Sequence, residues 1–307
     1  MRIVFMGTPD IAAQTLKALL DIKHEIIGVF TQPDKPVGRK QILTPPPVKV
    51  CATSAGIPVY QPTTLRDGTA LNILKELNPD IIVVVAYGKL LPKEILDLPK
   101  FGCVNGHASL LPKYRGSSPI QWCIVCGEKQ TGVTTMLMDE GMDTGDMLDH
   151  VTVDIADTDT ADTLYDKLSV AAASLMCLTL EKIENGTASP TKQDNAAATY
   201  APIIKKEMAL IDFNKPAIDI HNLVRGFYSW PTAYFMLEDK RLKVFETELF
   251  GNTDKAPGTV IKSDTEFIIA CGNSTAIKLN EIQLEGSKRM KTREWLMGKK
   301  IVEGTVL

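Results

Sequence analysis

The pattern that most limits the fold is an alternation of short apolar runs with amphipathic stripes through the first 150 residues. Ile3–Met6, Ile26–Phe30 and Ile81–Ala86 are near-continuous apolar runs, as strands buried on both faces of a parallel sheet require. Between them, Ile11, Leu16, Leu19 and Leu20 form one helical stripe, and Leu71, Leu74 and Leu77 another. This order predicts an α/β domain with a Rossmann-like, doubly wound sheet that takes its ligands at the carboxyl ends of the strands. The first strand ends at Gly7-Thr8-Pro9-Asp10. There Thr8 is expected as a helix N-cap, Pro9 at the first helical position and Asp10 in the first turn. The glycine-rich dinucleotide fingerprint is missing, with Gly7 alone present, and Asp10 would repel a pyrophosphate. An NAD-dependent oxidoreductase is therefore disfavoured.

A helical pattern runs from about 160 to 184 and ends at Asn185-Gly186, residues suited to a left-handed cap. The polar, alanine-rich stretch from 187 to 199 reads as a linker. One helix, about 217–226, then precedes short β-rich pieces at 232–237, 242–246, 258–261, 266–270 and 276–283, separated by Gly- or Asp-rich turns. That spacing fits a small barrel of the oligonucleotide-binding (OB-like) type. The expected organisation is a catalytic domain over 1–188, a linker over 189–206 and an OB-like domain over 207–307.

The amino-terminal apolar run is too short for a signal peptide, and the longest apolar stretch, Ile81–Tyr87, is far short of the roughly 20 residues a spanning helix needs. A cytoplasmic protein is expected, acting as a monomer. The six cysteines, Cys123-x-x-Cys126 included, are expected to be buried structural thiols, with no metal. The formal charge is −3, which excludes a strongly basic nucleic-acid binder while leaving room for local basic patches.

Asn105 and His107 lie two residues apart, so on an extended strand they project from one face. An amide beside an imidazole suits the holding and protonation of a carbonyl oxygen. Pro112 breaks the strand. The segment Asp139-Glu140-Gly141-Met142-Asp143-Thr144-Gly145-Asp146, with Asp143 thirty-eight residues beyond Asn105, crowds four acids into a glycine-punctuated loop. A carboxylate there could pair with the histidine.

The segments NGHASLLPKYRGSSPIQ (105–121) and GVTTMLMDEGMDTGDML (132–148), with Phe5–Asp10 and VAYGKLLP (85–92), resemble the folate-dependent formyltransferase family along nearly the whole chain. The resemblance implies that Asn105, His107 and Asp143 are the catalytic trio. It implies a 10-formyltetrahydrofolate co-substrate, with neither a metal nor NAD. Ser109, Leu110, Leu111 and Pro112 would line the folate site, and Ala86, Tyr87, Gly88, Leu90 and Asp139 would wall the pterin pocket. Gly106 departs from the β-branched apolar residue usual in the family.

Two further features bear on which amine is formylated. Residues 35–49 carry four basic side chains and no acid. This Pro-rich loop resembles the one by which the tRNA-directed members of the family enter the acceptor end of an initiator tRNA. On that match Arg39 reaches into the acceptor stem while Lys35, Lys40 and Lys49 neutralise phosphate. Residues 288–300 hold six basic side chains (Lys288, Arg289, Lys291, Arg293, Lys299, Lys300) against Glu294. On an OB-like barrel this run, with Lys288 and Arg289 foremost, reads as a phosphate-binding surface. Trp230 is expected in the core. The resemblance thus implies formylation of the methionyl amine on charged initiator tRNA. The alternatives are a formyltransferase for a sugar or nucleotide amine, or a non-catalytic RNA-binding protein on the same scaffold.

Overall fold

The computed structural model describes residues 1–38, 40–299 and 301–307. The first apolar run forms β1 (Arg2–Gly7), buried from Ile3 onward. There follow α1 (Asp10–Leu20), β2 (Glu25–Phe30), β3 (Lys35–Val37), β4 (Ile42–Thr44), α2 (Pro47–Ser54), β5 (Val59–Tyr60), α3 (Thr69–Leu77) and β6 (Ile81–Val85). Next come α4 (Lys93–Leu96), β7 (Cys103–His107), β8 (Arg115–Gly116), α5 (Pro119–Val125), β9 (Gln130–Leu137), β10 (Met147–Asp154), α6 (Ala161–Glu184) and β11 (Tyr200–Ala201).

Seven strands form one sheet in the order β10-β9-β7-β6-β1-β2-β5. Strands β7, β6, β1, β2 and β5 are parallel, while β9 runs antiparallel to β7 and β10 antiparallel to β9. Successive chain segments depart to opposite sides of β1, so the order reverses there. Such a switch point opens a crevice at the strands' carboxyl ends. Gly7 closes β1 because a Cβ there would sit 2.6 Å from the Ala12 Cβ and 2.9 Å from the Val85 carbonyl oxygen. One face of the sheet packs Val4, Met6, Phe30, Ile82 and Val84 against Leu74 and Ile95. The doubly wound reading holds, with one local correction at Thr8. Helix α1 starts at Asp10 without a side-chain cap, and the Thr8 hydroxyl donates to the Tyr87 carbonyl at 3.2 Å.

By packing, the chain forms two units. The first comprises Met1–Pro119, Gln130–Asp154 and Tyr165–Ala201. The second comprises Ile120–Lys129, Ile155–Leu164 and Pro202–Leu307. Residues 189–201, read from sequence as the start of a linker, are therefore packed within the first unit. Thr191 exchanges backbone hydrogen bonds with Met147, and β11 pairs with β8. Polar side chains rather than apolar burial fasten this stretch, so hydropathy left it looking unattached.

The second unit is built on α7 (Ala217–Gly226) and the strands β12 (Tyr234–Leu237), β13 (Lys240–Asn252), β14 (Val260–Lys262), β15 (Phe267–Cys271) and β16 (Thr275–Leu284), followed by β17 (Met290–Lys291) and α8 (Thr292–Gly298). The strands form an antiparallel half-barrel in the order β12-β13-β16-β15-β14, with β17 added to β16. Register shifts along β13, as between Val244 and Glu246, let that long strand curve. Ile220 and Val224 of α7, with Phe235, Val244, Phe267, Ile277 and Trp295, fill the core. Among the described residues no helix is long and apolar enough to cross a membrane.

Candidate active site

Strand β7 carries the amide and the imidazole into the crevice. Alternation along the strand puts Asn105 and His107 on one face, and Gly106 faces the other way. A Cβ at position 106 would meet the Met176 methyl at 3.3 Å and a Val85 methyl at 3.6 Å. The missing side chain therefore leaves the face that carries Asn105 and His107 intact. Because the nearer neighbour is the end of a flexible side chain, Gly106→Ala is expected to gain up to about 1 kcal/mol of stability by removing strand glycine entropy. Chemical denaturation measures the gain, with formyl transfer unchanged; a clear loss of stability would show that Met176 cannot yield.

His107 is 7% exposed. Its Nε2–H donates to the Tyr114 carbonyl at 2.9 Å, and its Nδ1 lies 3.6 Å from Asp143 Oδ2. A carbonyl only accepts, so Nε2 carries a proton. The 3.6 Å separation exceeds a hydrogen bond, which leaves Nδ1 open to a third partner. The Asn105 amide, half-buried, has no hydrogen-bond partner among the described residues and is likewise free to donate.

Asp143 reaches the histidine from a strained position. Its φ is +55°, which costs a residue with a Cβ about 1 kcal/mol; aspartate is among the residue types that tolerate it best. Its Oδ2 accepts the Gly116 backbone N–H at 2.8 Å. Asp139 shapes the same loop, its Oδ1 accepting the Gly141 N–H at 3.0 Å and the Thr144 hydroxyl at 2.7 Å. Gly145 has no room for a side chain, since a Cβ would fall 1.7 Å from the Leu137 carbonyl oxygen.

The loop after β7 is stitched from within. The Thr134 hydroxyl donates to the Ser109 carbonyl at 2.7 Å and accepts the Leu111 N–H at 3.1 Å. The Ser109 hydroxyl donates to the Lys113 carbonyl at 2.6 Å, and Leu111–Pro112 is cis. Ser109 and Leu111 are buried, so their side chains shape the loop, while Leu110 and Pro112 are partly exposed. The loop after β6 behaves similarly. Ala86 and Gly88 take left-handed conformations, at φ +46° and +79°. Tyr87 is 2% exposed, and burial pushes its hydroxyl up to about 12. Its carbonyl accepts Thr8 Oγ1 and, at 2.9 Å, Gln32 Nε2. Tyr87 therefore serves as core rather than as pocket wall. Leu90 and Met142 are both more than half exposed and offer apolar surface at the rim. Lys93 lies 3.5 Å from Glu140, which places the 86–92 and 139–145 loops side by side.

The segment expected as a Pro-rich loop is a β-hairpin. Strands β3 and β4 pair only with each other, and all six of their residues are exposed. Lys35 and Lys40 have no ion-pair partner among the described residues, and Arg39 lies outside the described residues. Lys49 is corrected as a phosphate ligand. Its Nζ holds both Asp34 carboxylate oxygens at 2.8 Å and Gln61 Oε1 at 2.8 Å. The Lys49 ammonium and the Gln61 amide keep the Asp34 carboxyl below its ordinary range. Gln61 also donates to the Gln32 carbonyl at 2.8 Å, so this cluster clamps the hairpin's base.

The basic run at 288–300 is largely neutralised. Arg289 pairs with Glu281, donates to the Tyr228 hydroxyl at 2.8 Å and lies over the Phe245 ring at 4.1 Å. Lys291 pairs with Glu246 at 2.6 Å and Lys299 with Glu238 at 3.1 Å. These acids come from β16, β13 and the turn before β13, so a count along the sequence window missed them. Lys288 and Arg293 lack such partners among the described residues, and Lys300 lies outside them. Two smaller expectations also fail: Trp230 is 50% exposed, and of the six cysteines Cys126 is exposed and Cys51 and Cys177 are only partly buried. Among the described residues no three His, Cys, Asp or Glu side chains gather as a metal site would need.

Sequence reasoning missed Arg115 and Gln193. Gln193 Nε2 donates to the Asp143 and Gly145 carbonyls at 2.8 Å each. Its Oε1 accepts from Arg115 at 3.0 and 2.8 Å. No periodicity or spacing marks a glutamine in a polar stretch.

An amide and a buried imidazole at the carboxyl end of one strand, with a carboxylate facing the imidazole, can serve polar group transfer to which no side-chain nucleophile is essential. The chain belongs to the formyl transferase family, which matches residues 1–180, with its C-terminal domain matching 203–300. It is 50% identical, over the full length of both chains, to a protein of Caldanaerobacter subterraneus named methionyl-tRNA formyltransferase. It is 47% identical to the Bacillus subtilis protein of that name, covering all of this chain and 97% of that one. Among solved structures, the N-formyltransferase of Helicobacter canadensis in complex with folinic acid and dTDP-3-aminofucose shares the fold, with a TM-score of 0.69 and 22% identity over 90% of this chain and 98% of that one.

Proposed function

We propose that this chain transfers the formyl group of 10-formyltetrahydrofolate to the free amine of the methionyl moiety on charged initiator tRNA, acting in the cytoplasm as a monomer. Full-length identity near 50% to relatives bearing the name methionyl-tRNA formyltransferase supports the substrate. The observation that carries the chemistry is His107 Nδ1 facing Asp143 Oδ2 beside an unpartnered Asn105 amide.

The neutral amine attacks the formyl carbon carried on N10 of the folate, forming a C–N bond and an oxyanion. Asn105 and the charged His107 donate to that oxygen. Collapse breaks the C–N10 bond. The amine's proton passes by way of Asp143 to the departing N10, leaving N-formylmethionyl-tRNA and tetrahydrofolate. The partly exposed Leu90, Leu110, Pro112 and Met142 give the flat folate ring system apolar surface, and the bent backbone at Ala86 and Gly88 gives it polar edges.

On the RNA side, Lys35 and Lys40 of the hairpin and Lys288 of the second unit contact phosphate, and Arg39 reaches into the acceptor stem. Lys35→Ala with Lys40→Ala should raise the KM for charged tRNA and flatten the dependence of log affinity on log salt by about 2, or about one for each phosphate left unneutralised. Arg39→Ala should likewise weaken tRNA use while folate affinity holds. Lys49→Ala should lower the melting temperature without altering the salt slope. Filter binding across a salt series decides this assignment, which fails if Lys49→Ala flattens the slope as much as the hairpin variants do. Parallel assays with charged tRNA, uncharged tRNA and an amino sugar test the substrate itself. Transfer to the sugar alone would replace this reading with a sugar-amine formyltransferase, and transfer to none would leave an RNA-binding protein.

A further inference from the structure

We propose that Gln193 is a positioning residue for formyl transfer, one that fixes the backbone of the Asp143 loop so that the carboxylate faces His107. This rests on the role assigned above to Asp143. Gln193 is 9% exposed and Arg115 is 2% exposed. Both amide hydrogens of Gln193 are spent on the loop, one on the Asp143 carbonyl and one on the Gly145 carbonyl, each at 2.8 Å. Its amide oxygen accepts the Arg115 Nε–H at 3.0 Å and a terminal N–H at 2.8 Å, and Arg115 donates again to Asn195 Oδ1 at 2.9 Å.

The orientation of this amide is forced. Carbonyls only accept and a guanidinium only donates, so the nitrogen must face the loop and the oxygen must face Arg115. Glutamine is the side chain of this length that offers two donors and an acceptor on one planar group. Glutamate keeps the Arg115 side and loses both donors, and lysine loses the acceptor. The left-handed turn at Asp143 persists only where its surroundings over-determine it. The two carbonyls flanking that turn are the groups Gln193 holds. The Gly116 N–H anchors the carboxylate, but it does not fix the backbone from which the carboxylate projects.

Gln193→Glu separates holding the loop from holding the fold, because the acceptor for Arg115 is kept and both donors to the loop are lost. The expected result is a fall in kcat of about 100-fold, the scale of an ångström-sized misplacement of a reacting group. The KM for each substrate and the melting temperature should stay near wild type, and amide hydrogen exchange should speed up in residues 139–146. In the Asp143→Ala background the same change should cost less than about threefold, because the two act as a unit. Wild-type kcat, a kcat that falls together with the melting temperature, unchanged exchange in 139–146, or fully additive losses would each overturn the proposal. Should Asp143→Ala itself retain wild-type turnover, the assignment of the site falls, and hydrogen exchange alone then decides whether Gln193 holds the loop.

Discussion

Asp143→Ala folds as the wild type does and transfers formyl at least about 100-fold more slowly, the loss expected when the group that carries the amine's proton is removed. Asp143 is partly exposed and its backbone is held by Gln193. Removing the carboxylate therefore leaves no buried charge behind, apart from a His107 whose Nε2–H still has the Tyr114 carbonyl. Asn105→Ala should lose a similar factor for a different reason. Its amide has no partner to strand among the described residues, so the loss is purely one of transition-state hydrogen bonding and should appear in kcat with KM nearly unchanged. Single-turnover transfer at saturating folate and charged tRNA measures both. Turnover within a few-fold of wild type in either variant would sink the assignment of the trio.

The second large effect is expected at a residue with no side chain. In Gly145→Ala the new Cβ would lie 1.7 Å from the Leu137 carbonyl oxygen, with the carbonyl carbon at 2.8 Å. Neither atom belongs to a side chain that could swing away, so the backbone of the loop or of β9 must move. The Asp146 carbonyl accepts the Leu137 N–H at 2.9 Å in that same corner, so the displacement breaks the joint that carries the loop back onto the sheet. Activity should fall by about 100-fold or more through misplacement of Asp143, and stability should fall with it. Gly141→Ala is the useful contrast. Its Cβ would meet Thr144 Oγ1 at 2.0 Å, a side-chain atom that can rotate away by giving up one hydrogen bond to Asp139. A mild effect at 145 together with a severe one at 141 would mean that the loop is held differently from this account.

Apolar runs gave away β1, β2 and β6 to within a residue or two, because strands buried on both faces leave no other pattern. The alternation of Asn105 and His107 placed them together for a related reason: two residues on an extended strand cannot help but share a face. Asp143 was legible through the resemblance rather than through any period, since its approach depends on a left-handed turn that several residues could adopt. The polar architecture stayed hidden. Lys49 reads in sequence like Lys35, and only the fold brings Asp34 and Gln61 to it. Arg289 belongs to a basic run until β16 carries Glu281 beneath it. Gln193 sits in a stretch poor in apolar residues, where hydropathy records looseness although four directional bonds fasten the side chain. Trp230 was expected inside on size alone, and size does not tell a core aromatic from an exposed one.

The hairpin of β3 and β4 leaves and rejoins the first unit through one clamp, Asp34 and Lys49 with Gln61, and hydrogen-bonds to no strand of the main sheet. Its length and tip can therefore vary without shifting the register of β1, β2 or β6. Descent within such a lineage can rewrite what is recruited by altering some fifteen contiguous codons, while Asn105 and His107 on β7 and Asp143 beyond β9 are inherited unchanged.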